Sequence, residues 1–301
     1  VELTTPYRYI RKIDQLSDDL IALQNKRRVQ ARRQMVDILQ TNGVARSTTS
    51  QLQGVVSDLG SRIIQDRYGF DDQLLKSSQS FINDQRNDLL KVGVNTPVPP
   101  SNYNPSSAFS DLLLTEPQWI QAFGNRIGVT MTRAIAEDQP VTMVQDRLFG
   151  TQFNDGRASA YRLSGSEGKM ATDTSTWVAA LAVVLVLSRA YNEISQITFQ
   201  KQAIAAIDHR TTDCCLRVHG QIQKLDGKFI LRGTPRFANK LKSPPFHWHC
   251  RTIWVLYTPE LEGLGTTTEE MISAATAEIK ARKEEGRSRI WPAHATSRRR
   301  K

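Results

Sequence analysis

Apolar residues recur three and four positions apart through the first half of the chain, and that spacing predicts helices. Ile13, Leu16, Leu20 and Leu23 form one stripe. After a break at TNG (residues 41–43), Leu52, Val55, Leu59 and Ile63 form a second, and a turn at Gly69 leads to a third helix with Leu74, Leu75, Phe81 and Ile82 on its apolar side. VNTPVPPSNYNPSS (94–107) reads as a linker or extended arm. Trp119, Phe123, Ile127, Met131 and Ile135 then predict another helix, and Pro140 opens a short one ending at Gly150. A polar stretch, LSGSEGKMATDTST (163–176), leads into the apolar run WVAALAVVLVL (177–187). Beyond it the periodicity changes: KQAIAAID, KFILRG and RTIWVLY are β-rich. The fold class expected is α+β, a helical N-terminal region followed by a mixed α+β domain with a small β-rich module that is a candidate for a zinc staple. Boundaries are expected at 1–92 for the helical region, 93–115 for the linker, 116–257 for the mixed domain and 258–301 for a basic tail.

Composition narrows the class. With 301 residues, 39% of them hydrophobic, the chain can bury a true core. Its longest apolar run rises about 16 Å as a helix, roughly half a bilayer core, so no membrane span or membrane partner is expected. The first residues carry no apolar signal segment and the three cysteines are an odd number, which implies synthesis in a reducing cytosol. No repeat and no glycine-rich phosphate loop is present.

The net charge of +10 is concentrated. Residues 217–242 carry +6 through Arg217, Lys224, Lys228, Arg232, Arg236, Lys240 and Lys242 against Asp226, and residues 280–301 carry +7 and end in Arg298, Arg299, Arg300 and Lys301. KRRVQARR (26–33) is a further basic run. Such clusters suit the phosphates of nucleic acid, and they equally suit a solvated loop and tail.

Candidate chemistry sits in two segments, DHRTTDCCLRVHG (208–220) and SPPFHWHCRT (243–252). Cys215 and His219 are four apart, His247 and Cys250 three apart, and a basic insertion separates the pairs. Two short-spaced pairs of nitrogen and sulfur donors suit a tetrahedral zinc site, with His209, Cys214 and His249 as spare candidates. The other reading is of small buried cysteines and ordinary hydrogen-bonding histidines.

These two segments resemble the core motif of the phage head morphogenesis family, the Mu F-like minor head proteins. That motif runs approximately D-x-R-T-C-x-x-C-x-x-x-D-G, then an insertion, then P-P-x-H-x-x-C-R-C. Asp208, Arg210, Thr211, Cys215 and Gly220 match its first part, and Pro244, Pro245, His247, Cys250 and Arg251 its second. Residues 119–257 are covered, including SRAYNEIS (188–195), which is similar to the helix preceding the motif. Thr212, His219 and Thr252 depart from it: they stand where relatives have Cys, Asp and Cys. If His219 replaces the missing cysteine a four-ligand site survives; otherwise the motif is a hydrogen-bonded turn. Asp208, Arg210 and Thr211 read as a structural network rather than a catalytic set.

The resemblance implies a structural protein, not an enzyme: a minor component of a tailed-phage head, present in the virion inside the head near the portal vertex and in the host cytoplasm during assembly. Its implied partners are the portal protein, a major capsid or scaffolding protein, and DNA bound without sequence preference during packaging or ejection. The rival is a metal-dependent nuclease, but only Asp208, Asp213 and Asp226 lie near the motif to hold a hard cation. A zinc deaminase would need H-x-E and P-C-x-x-C, and neither occurs.

Overall fold

Helices carry most of the chain, as the three- and four-residue spacing requires. The structure, a computed structural model, describes residues 4–94, 115–150, 158–194, 199–208, 210–259 and 267–285. Five helices come first: α1 (Thr4–Asn42), α2 (Arg46–Lys91), α3 (Thr115–Ala136), α4 (Val141–Phe149) and α5 (Ala160–Ile194). The second half adds β1 (Gln200–Ala205), α6 (Asp213–Val218), β2 (Ile222–Lys224), β3 (Phe229–Ile230), β4 (Lys240–Leu241), β5 (Thr252–Tyr257) and α7 (Thr268–Glu284). The protein is thus α+β, helical at first with a small antiparallel sheet region near the C-terminal end. No helix among the described residues is long and apolar enough to cross a membrane.

The described residues divide into two compact units that interleave along the sequence. One takes residues up to Asp14, 74–94 and everything from Trp177 onward; the other takes 15–73 and 115–176. These units cut across the boundaries read from the sequence, because α1, α2 and α5 each contribute to both. Most of the expected linker lies outside the described residues.

In the helical unit, Met35 and Leu39 of α1, Leu52, Val56, Leu59 and Ile63 of α2, and Phe123, Ile127 and Met131 of α3 form one apolar core, closed by Val144 and Leu148 of α4. The break between α1 and α2 falls at Gly43, whose φ of +69° suits a residue without Cβ. Two expected interruptions are helical instead. α2 runs through Gly69, where the cost of about 1 kcal/mol relative to alanine is outweighed by the buried Ile63 and Leu74 on either side. The polar stretch 163–176 belongs to α5, because its polar side chains are buried against partners rather than solvated. Ser17 donates to Asp173 (2.8 Å), Thr172 to Gln24 (2.7 Å), and Arg67 to Ser175 (2.7 Å).

In the other unit, strands order β2-β1-β5, all antiparallel, with Gln200 opposite Tyr257 and Ala205 opposite Thr252. β5 is buried at all six positions, which accounts for its continuous β-branched and aromatic sequence. Tyr9 of α1 stacks on Phe81 of α2 with ring centroids 4.1 Å apart and donates to the Ala180 carbonyl of α5. The expected basic tail begins instead with α7, closed at its start by a reciprocal capping box between Thr267 and Glu270.

The basic insertion is held to the sheet by Lys201 of β1, which is 1% exposed. Its Nζ donates to the carbonyls of Leu225 and Lys242, each at 2.6 Å, one near either end of the β3–β4 hairpin, and lies 5.2 Å from the centre of the Phe229 ring. Lys201→Ala strands both carbonyls and is expected to cost about 2–3 kcal/mol of stability by denaturant titration, with faster proteolysis between Asp226 and Lys242.

Candidate functional site

α6 is short, and its start sets the geometry. Thr212 precedes it in extended backbone and caps it, its hydroxyl accepting from the Cys215 N–H (3.4 Å). That turn carries Thr212 Oγ1 and Cys215 Sγ together to the turn that follows Pro244 and Pro245. There His247 Nε2 lies 2.7 Å from Thr212 Oγ1 and 2.9 Å from Cys215 Sγ. Cys250 Sγ is 3.7 Å from Cys215 Sγ. His249, with φ of +57°, reverses the chain between His247 and Cys250. His247 Nδ1 donates to the Trp248 carbonyl (2.7 Å), which turns Nε2 toward the sulfurs.

Cys215, His247 and Cys250 are all buried, and their ligand atoms lie within 4.8 Å of one another: this cluster can hold a metal ion. Burial alone would raise the Cys215 thiol, but the hydrogen bond from Cys250 and the imidazole of His247 bring it well below the usual thiol range. Cys250 moves the other way, pushed up by burial and by its neighbour Cys215. The pair therefore favours one thiolate, on Cys215, beside the imidazole.

His219 is not in the cluster. It follows α6, and its Nδ1 accepts from the Ala205 N–H at the end of β1 (2.9 Å), while the buried Nε2 has no partner among the described residues. Thr212, set aside by residue type, occupies the place the sequence assigned to His219, because it sits one helical turn before Cys215. Cys214 is buried nearby, its thiol pushed up to about 12 by burial. His249 lies outside the cluster, and His209 lies outside the described residues.

The matching polar residues form a network around the cluster. Asp208 accepts from the backbone N–H of Arg210 (2.9 Å), from Thr211 Oγ1 (3.1 Å) and from Arg251 Nη2 (2.6 Å). Its burial would raise its pKa, but the charge of Arg251 and these bonds bring it below the usual carboxylate range. Arg251 also donates to Asp14 of α1. Gly220 has φ of +79°, and a Cβ there would stand 3.0 Å from Ile272 of α7. Pro244 is buried and Pro245 half-buried.

The cations of the insertion face solvent: Arg217, Lys224, Lys228, Arg232, Arg236, Lys240 and Lys242 are all exposed. Arg217 pairs with Asp213 (3.2 Å), and Arg236 donates to Asn239 (2.9 Å). Arg298, Arg299, Arg300 and Lys301 lie outside the described residues. Next to Arg236, Phe237 packs edge-on against Trp248, centroids 5.3 Å apart, and both rings are exposed. Charge counting along the sequence passes over this pair; the signal was a tryptophan between two cluster residues. The chain matches no family model, no curated protein and no solved structure.

His219 makes a pH prediction. Unfolded, it takes a proton near pH 6.5; folded, burial lowers its pKa to about 4. Its contribution is therefore fully present above pH 6.5 and is lost as pH falls from 6.5 toward 4, by on the order of 3 kcal/mol over that window. Denaturant midpoints measured from pH 7.5 to pH 4.5 should fall more steeply for the wild type than for His219→Asn, which keeps an acceptor but no titrating ring.

Proposed function

We propose that this chain is a minor structural protein of a tailed-phage head, acting near the portal vertex in head assembly and DNA packaging or ejection, and touching DNA without sequence preference. One observation carries the reading. The two motif halves meet in a buried Cys215–His247–Cys250 cluster, while the insertion between them turns its cations to solvent. A closed knot that presents a basic hairpin is a structural device, and the hairpin's charge suits the phosphates of DNA.

Zinc is the metal this donor set fits. Two thiols and an imidazole are its preferred ligands, and the 3.7 Å between the sulfurs matches the roughly 3.8 Å edge of a tetrahedron with zinc–sulfur bonds of about 2.3 Å. The 2.9 Å between Cys215 Sγ and His247 Nε2 is a hydrogen-bond distance instead. Bound there, the ion would lock the two segments together. Cys215, His247 and Cys250 would hold it, and Thr212 would face the fourth position. The nuclease reading is less favoured: none of the three ligands is more than 1% exposed, which leaves no approach for a phosphodiester.

The purified chain is expected to carry about one zinc per molecule. His247→Ala should remove it and Thr212→Cys should tighten it by roughly tenfold or more, both read by competition with a chromogenic chelator. In DNA binding, replacing Lys224, Lys228, Lys240 and Lys242 with Gln should weaken affinity alike on every duplex sequence and flatten the salt slope by about one unit per lost phosphate contact. The role itself is tested in virions: copies located at the portal vertex are the expected result, and particles that lack the chain overturn it.

A further inference from the structure

Arg28 of α1 is a buried cation with no carboxylate beside it among the described residues. It is 7% exposed, and a guanidinium does not shed its charge at any ordinary pH. Its partners are neutral. Nη1 donates to Asn25 (3.0 Å), Nη2 to the Tyr161 carbonyl (2.5 Å) and to Ser164 (3.3 Å), and the group lies 4.4 Å from the centre of the Tyr161 ring. The buried Nε has no acceptor among the described residues. Burial pulls the Arg28 pKa down, with Tyr161 partly opposing the shift. A Cβ at Gly165 would stand 2.6 Å from Nη1, so only bare backbone lets the guanidinium sit so close to α5.

Arg28 lines a cavity of about 410 Å³ within the helical unit. Arg32, one turn further along α1, stands over the same Tyr161 ring at 5.5 Å, and Arg162 and Lys169 of α5 complete a lining with no carboxylate among the described residues. The first turn of α5 lies at this cavity and holds no acidic residue, which adds the positive end of a 35-residue helix.

We propose that this cavity binds a phosphate group. Arg28, Arg32 and Lys169 alone exceed what a single carboxylate neutralises, and arginine forks match the oxygens of a phosphate. The group has two sources, a small phosphorylated molecule or the backbone of a nucleic acid, and the site is independent of the metal cluster and the basic hairpin.

Titration calorimetry of the full chain with inorganic phosphate, a nucleoside 5′-monophosphate and a short DNA duplex tests it. Arg32→Gln and Lys169→Gln are the variants of choice, since both side chains are exposed and neither holds the core. If the first two ligands bind and each variant weakens them about tenfold, the site takes a small phosphorylated molecule. If only the duplex responds to the variants, the backbone is the source. Affinities unchanged by both variants for all three ligands, or no binding of any of them, overturn the proposal.

Discussion

Negative charge on two sides offsets the cost of taking the Arg251 guanidinium out of water. Arg251 donates to Asp14 of α1 and to Asp208 of the loop before α6, and it directly follows Cys250. Removing one partner of such a group leaves uncompensated charge in a medium that solvates it poorly, a loss that typically runs to about 3–5 kcal/mol. The first helix, the motif loop and the start of β5 are thereby fixed to one point. Arg282 of α7 extends the arrangement, donating to the carbonyls of Thr211 (2.5 Å) and Asp208 (2.7 Å).

The cluster and the hairpin divide their tasks on this support. Thr212, Cys215, His247 and Cys250 turn inward, where sulfur and nitrogen lie close enough to share a proton or an ion. The intervening residues cannot form a core of their own, and they do not need to: Lys201 reaches from the sheet to both ends of the hairpin, and Phe229 meets Phe246 edge-on beneath it, centroids 5.7 Å apart. What remains outside includes the charges, Ile230 and the Phe237–Trp248 pair.

Legibility in the sequence followed physical cause. α3 and α4 were readable because their apolar stripes and terminal Pro140 and Gly150 act locally, and β5 because β-branched and aromatic residues crowd into six positions. The continuity of α2 was hidden by Gly69, whose effect on a helix is small beside the packing of its neighbours. α5 was hidden by Thr172, Asp173 and Ser175, which look solvated until their partners on other helices are known. In the site, Cys215, His247 and Cys250 were readable from spacing. The fourth place was not, because residue type favours a histidine as ligand while cap geometry delivers Thr212. Arg28 was visible only as part of a basic run, since the neutral character of its partners shows only once the side chain is placed.

The interleaving of the two units also sets an order of events during synthesis. Asp14 and Arg251 are 237 residues apart, so at ordinary rates of translation roughly 10 to 50 s separate their emergence from the ribosome. Throughout that interval the beginning of α1 lacks the sheet it belongs to, whereas residues 15–73 and 115–176 have all emerged before Arg251 does. The unit that opens the chain is therefore the last to be completed.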